Sequence, residues 1–169
     1  GKGGIGYVLE ENFGFHIPGK MREDVGYTVK DVSDKQHREL VPKDILDVFK
    51  TVYVNISSPI ALKECHFIQK DGGIEAEISL EKSGVDKLYH GRGNGRLDAV
   101  SNALQRHSDL DYSIVSYQEH ALTVGSNSKA CSYVAIQKPN GTVVWGAGIH
   151  EDIITASVLA LISAVNRIQ

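Results

Sequence analysis

In the stretch HGRGNGRLDAVSNAL, Gly91, Gly93 and Gly95 alternate with Arg92 and Asn94 just ahead of an amphipathic pattern. Glycine is entropically costly to fix, so such a run is expected where something approaches the backbone closely or where the chain turns sharply. Ahead of a helix, unpaired N–H groups and the positive end of the dipole favour an anion, and a small ligand carboxylate would suit. A tight corner is the alternative, and the residue types leave both open. A dinucleotide is disfavoured because the spacing is not Gly-x-Gly-x-x-Gly, the surrounding strands read as antiparallel, and no acidic residue is placed to hold a ribose.

Other chemically capable residues fit known machinery poorly. The opening GKGGIG lacks the Lys-Ser/Thr of a phosphate loop, having Tyr7-Val8 instead. None of the seven histidines forms an HxH or HExxH pair, so no catalytic metal has a ligand set. Glu119 and His120 in SYQEHAL offer an acid and a base, but neighbours on a strand point to opposite faces, and a structural role is expected for both. No serine or cysteine stands in a nucleophile context. Cys65 and Cys131 are far from CxxC spacing and read as buried reduced thiols. Tyr117, with Ile114 and Ala121 nearby, reads as core.

These residues depend on elements that the sequence marks clearly. Residues 1–55 carry helical signals: KMREDVGYTVKDVSDKQ spaces Met21, Val25, Val29 and Val32 helically, and PKDILDVFKTVYV opens with proline at a helix start. After the break ISSPI, the segment GIEAEISLE alternates with Ile74, Ala76, Ile78 and Leu80 on one face, as a half-buried antiparallel strand does. LKECHFIQK precedes it across Asp71-Gly72-Gly73 and VDKLYHG follows across Lys82-Ser83-Gly84, giving three strands and two hairpins. The glycine run then reads as the turn into a helix faced by Leu97, Val100, Ala103 and Leu104.

The order recurs in DYSIVSYQEHAL, KACSYVAIQK, TVVWGAGI and the apolar helix EDIITASVLALISAVNRI, with Gly146 and Gly148 read as the second turn. The expected fold is therefore α+β: a short helical subdomain at 1–55, then 56–169 as two pseudo-symmetric βββα units at about 60–108 and 110–169. The last helix is apolar nearly all round, and a chain this small is expected to need a second copy to cover it.

With 169 residues, 41% of them hydrophobic, the chain can bury an ordinary core, and its net charge of −3 gives no footprint for nucleic acid or an anionic membrane. No apolar run reaches the length that spans a bilayer, and no signal peptide opens the chain, so a cytoplasmic setting is expected. The absence of an initiator methionine, with an opening that reads as mid-chain, suggests a piece of a longer polypeptide.

Taken together, GKGGIGYVLE, HGRGNGRLDAVSNAL, YQEHAL and VVWGAGIHEDIITASVLALISAVNR resemble the C-terminal part of the 2-isopropylmalate synthase family, in the correct order and over essentially the whole chain. In that family an N-terminal TIM barrel binds a divalent metal and condenses acetyl-CoA with 2-oxoisovalerate, the committed step of leucine synthesis. The barrel is absent here, so the resemblance implies a linker subdomain and a regulatory domain that dimerises and binds leucine, inactive alone and without a cofactor. Much of the linker helices' apolar surface would then lose its partner.

The resemblance also assigns an effector pocket. Gly93, Asn94 and Gly95 would present backbone N–H groups and an amide to the amino acid. Leu97, Ile114, Tyr117 and Ala121 would line its side chain, with Ala130 a weaker match. Arg96 stands where the family commonly has proline, and Ser128 where a small apolar residue is usual. Citramalate synthase shares the domain and responds in some members to isoleucine, so that effector remains an alternative, as does a purely structural dimerisation module.

Overall fold

The computed structural model describes residues 2–106, 108–124 and 127–168, without the side chains at 2, 123 and 124. His107 and Gln169, inside the repeats expected from the sequence, lie outside the described residues. Three helices come first, α1 (Lys2–Phe13), α2 (Gly19–Gln36) and α3 (Pro42–Tyr53). Then follow β1 (Ile60–Lys70), β2 (Gly73–Lys82), β3 (Val85–Gly93) and α4 (Arg96–Arg106). The second unit is β4 (Ser113–Val124), β5 (Asn127–Gln137), β6 (Val143–His150) and α5 (Ile153–Arg167). Each unit is an antiparallel three-stranded sheet in sequential order, β1-β2-β3 and β4-β5-β6.

The two units share details beyond their strand order. A bulge interrupts the first hairpin of each at the same place, between Leu62 and Glu64 in β1 and between Ile114 and Ser116 in β4. Each bulge kinks its edge strand and sets which later residues face the helix.

Glycine spacing is where the sequence reading requires correction. Gly91, Gly93, Gly146 and Gly148 are not turn residues; they lie within β3 and β6. A Cβ on Gly91 would meet the Ala99 carbonyl oxygen at 2.2 Å and the Ala103 nitrogen at 2.4 Å. On Gly148 it would meet the Ala156 oxygen at 2.0 Å and the Ala160 nitrogen at 2.6 Å. In both units a helix is laid on the last strand so closely that only glycine below and alanine above fit. Only Gly95 sits in the open connection, with nothing within 4 Å of its would-be Cβ.

One core unites the units. Ala76, Ile78 and Leu80 from the first sheet, Val100 and Leu104 from α4, Val134 and Ile136 from the second sheet, and Leu161 and Ile162 from α5 form a single buried cluster. Ten of the fifteen α5 residues are buried within this one chain, so no second copy is needed to cover the helix, contrary to the expectation from its apolar sequence. The first unit supplies the missing cover.

The other face of the second sheet packs against α1–α3. Leu122, Cys131, Tyr133, Ala135 and Trp145 meet Leu9, Met21, Val25, Phe49 and Tyr53 in a second core. Helices α1–α3 thus have a partner for their apolar surface inside this chain. GKGGIG, apart from Gly1, is part of helix α1. The α3–β1 connection is tied to α5: Asn166 accepts from the Ile60 N–H at 2.9 Å and donates to the carbonyls of Ile56 and Ile60 at 2.7 and 2.8 Å.

Candidate functional site

A cavity of about 490 Å³ opens where three elements converge. The start of α4 contributes Gly95, Arg96, Leu97 and Asp98, β4 contributes Ile114, Tyr117 and Glu119, and the first turns of α5 contribute Ile153, Ile154, Ser157 and Val158. Its position follows from the packing: α5 lies over β5 and β6, so the helix-facing side of β4 is left open. Tyr117, which would be core if the helix reached it, is consequently 43% exposed. Leu97, Ile114, Ile153, Ile154 and Val158 supply branched aliphatic wall, and Arg96, Asp98, Glu119, Tyr117 and Ser157 supply charge and hydroxyls.

Those polar groups are connected. Ser132, wholly buried on β5, lies 3.2 Å from the Ser157 hydroxyl on α5, which lies 2.6 Å from the Tyr117 hydroxyl. The Tyr117 hydroxyl donates in turn to Oε2 of Glu119. Burial and the neighbouring carboxylate both raise the Tyr117 pKa, keeping the phenol protonated as a donor. The N-terminus of α5 is already satisfied by Asp152, whose carboxylate accepts from the Thr155 N–H at 2.9 Å and is held below its ordinary pKa chiefly by the Thr155 hydroxyl. The Arg96 guanidinium lies over the Phe67 ring at 5.9 Å.

Four of the residues assigned to the pocket by resemblance, Gly95, Leu97, Ile114 and Tyr117, line this cavity. Gly93 and Asn94 line an adjoining polar cavity of about 420 Å³ that shares Asp98 and Ile114 with it. Ala121 and Ala130 lie in neither; they face each other across β4 and β5. Residue-type reasoning missed Glu119, Ser157 and Ile154 as lining residues. Strand alternation already separated Glu119 from His120 and set Glu119 on the face of Tyr117 and Ala121, which is the signal that could have found it.

His120 occupies the opposite side of β4, against the α1–α2 connection. Its Nδ1 donates to the Ala121 carbonyl at 2.8 Å, and its Nε2 accepts from the His16 N–H at 3.2 Å and the Tyr133 hydroxyl at 2.8 Å. Burial, with the nearby His16, lowers its pKa, so a neutral ring is favoured there. This is a structural tie between the helices and the sheet. Burial also pushes the thiols of Cys65 and Cys131 up to about 11 and about 12, leaving both weakly reactive. Among the described residues no group of three or more His, Cys, Asp or Glu side chains is arranged to hold a metal ion. None of the described helices is long and apolar enough to cross a membrane.

Comparison with known proteins places this architecture. The chain is 51% identical over 166 residues to a 2-isopropylmalate synthase of Desulfitobacterium hafniense, covering 98% of this chain and 30% of that protein. It is 42% identical over 176 residues to the 2-isopropylmalate synthase of Helicobacter hepaticus, and 38% identical over 173 residues to that of Clostridium acetobutylicum. In each of those two cases 99% of this chain is covered and 31% of the relative. The chain therefore spans about a third of the length of these relatives. Residues 39–169, from just ahead of α3 to the end of the second unit, match the LeuA allosteric (dimerisation) domain. Two stacked βββα units with that match over most of their length identify the chain as a member of the LeuA allosteric (dimerisation) domain family, in the form found in 2-isopropylmalate synthases.

Proposed function

We propose that this chain is the effector-binding and dimerisation part of a 2-isopropylmalate synthase, and that its effector is leucine. The observation that carries the reading is the cavity at β4, where aliphatic walls from Leu97, Ile114, Ile154 and Val158 stand beside Glu119 and the start of α4. Isobutyl burial against such walls is worth roughly 2 kcal/mol, and the charged end of an amino acid has polar groups within reach. Asn94 and Gly93, in the adjoining cavity, extend that polar side. Ala121 and Ala130 enter the site in this reading only through the open face of β4 that a second copy would cover. The homodimer, the cytoplasmic setting and leucine feedback all belong to this proposal.

Condensation of acetyl-CoA with 2-oxoisovalerate, and the divalent metal it uses, fall to the part of the relatives that this chain does not span. No turnover is expected of the chain alone. The relatives described above do not favour citramalate synthase as the parent. A structural dimerisation module has one observation in its favour: Gly91 and Gly93 are accounted for by close helix packing, without any ligand.

Calorimetric titration with leucine, isoleucine and valine, with the solution mass measured alongside, separates these readings. Saturable binding selective for leucine by a dimer is the expected result. Preference for isoleucine would move the parent toward citramalate synthase, since one repositioned methyl discriminates by only about 1–3 kcal/mol in an apolar pocket. A folded dimer that takes up none of the three would be the structural module.

A further inference from the structure

We infer that Glu119 receives the protonated amine of the ligand, so that the site selects an α-amino acid over the 2-oxo acid of the same carbon skeleton. The inference rests on the reading of the β4 cavity as an amino-acid site and names the group that reads the ligand's charge.

The hydroxyls behind Glu119 are the first ground. Ser132, Ser157 and Tyr117 form a series of hydroxyl contacts between the buried interior of the second sheet and one carboxylate oxygen, with the Ser157 hydroxyl also donating to the Ile153 carbonyl at 3.0 Å. A carboxylate oxygen that accepts from a hydroxyl itself held by further hydroxyls is fixed in one orientation. Only Oε2 of Glu119 is used in this way; among the described residues Oε1 has no donor, and Glu119 is in no ion pair. A carboxylate that lines the cavity, anchored through one oxygen and unpaired at the other, is an arrangement that an ammonium group completes.

Comparison within the chain is the second ground. Aligning the two bulges pairs Tyr117 with Cys65 and Glu119 with Phe67. Counting from the bulge along the partner strand pairs Ser132 with Ala76. The glycine contacts pair Ala156 with Ala99, and hence Ser157 with Val100. All four members of the polar series are apolar or thiol in the first unit, where Ala76 and Val100 are core and Cys65 and Phe67 pack against it. The fold thus forms without the series, and its presence in one unit alone points to a ligand rather than to folding.

An amine and a 2-oxo group differ at the atom that would face Oε1. The ammonium donates to the carboxylate, whereas a carbonyl oxygen presents a lone pair to it and is repelled. Titration of the chain with leucine and with 4-methyl-2-oxopentanoate tests the inference, using Glu119→Gln and Tyr117→Phe with thermal melts to verify folding. Leucine is expected to bind wild type, and the oxo acid about 10- to 100-fold more weakly. Glu119→Gln should lose a similar factor for leucine and none for the oxo acid, erasing the discrimination, while Tyr117→Phe weakens leucine by a smaller factor. If wild type binds leucine but Glu119→Gln binds it equally well, the inference is overturned and the leucine reading stands. If Glu119→Gln instead alters the solution mass with leucine affinity unchanged, Glu119 serves the dimer contact, which also overturns it. Wild type that binds neither compound overturns the amino-acid reading itself.

Discussion

The sheets β1–β3 and β4–β6 share strand order, bulge position and glycine contact, yet the first has one whole face in water, whereas the second carries helices on both faces and leaves only its edge strand β4 open. On the first, one side packs on α4 and the other carries cross-strand pairs such as His90 with Glu77 at 3.0 Å and Lys63 with Glu81 at 2.9 Å. On the second, α5 covers one side and α1–α3 the other, so β5 is buried without interruption from Ala130 to Ile136. The chain therefore uses one repeated unit twice with opposite economies of surface. The unit with both faces occupied is also the one whose edge strand opens onto the cavity and carries a polar series into it.

The contrast can be broken most forcefully at the second sheet's outer cover. Phe49 is fully buried, edge-on to Phe15 at 5.0 Å, and Phe49→Ala is expected to cost about 3–5 kcal/mol in urea unfolding. Gly148→Ala and Gly91→Ala push a methyl into helix backbone in both units, so each should cost about 1–3 kcal/mol by the same assay. A Gly91→Ala variant as stable as wild type would mean that the close strand-helix contact belongs to the second unit alone.

Acidity sharpens the contrast more gently. His120 has a folded pKa below its ordinary 6.5, so the unfolded chain binds the extra proton first. Its contribution is complete above that ordinary value and is lost as the pH falls through it toward the lower folded pKa. Urea midpoints should drop on acidification across this window, with a shallower drop in His120→Gln; parallel pH profiles for the two proteins would contradict the tie between His120 and the α1–α2 connection. At the small end, Ile68 is 63% exposed on the free face of the first sheet, and Ile68→Ala should change the same midpoint by less than about 0.5 kcal/mol.

What could be read from the sequence follows the same division. GIEAEISLE announces its strand because one face is wet and the alternation survives, while KACSYVAIQK, dry on both sides, shows only a run of strand formers. The helices and their order were legible from apolar spacing. The glycines were misread because glycine at a strand end usually signals a turn; the contrary signal was alanine eight and twelve residues further on, at Ala99 and Ala103 and again at Ala156 and Ala160. For the cavity, Leu97, Ile114 and Tyr117 came from a family resemblance. Glu119 was within reach of strand alternation, since it lies between Tyr117 and Ala121 on one face; what residue types do not write is how far α5 reaches across the sheet, which leaves that face open.

The most direct measurement is a proton–nitrogen correlation map of the chain recorded through a leucine titration. Saturable shifts at Gly95, Leu97, Ile114, Tyr117, Glu119 and Ser157 are expected, with Cys65, Phe67, Ala76 and Val100 of the first unit undisturbed. Shifts centred on the first unit's positions, or none anywhere at saturating leucine, would contradict the assignment of the effector to the open strand of the second unit.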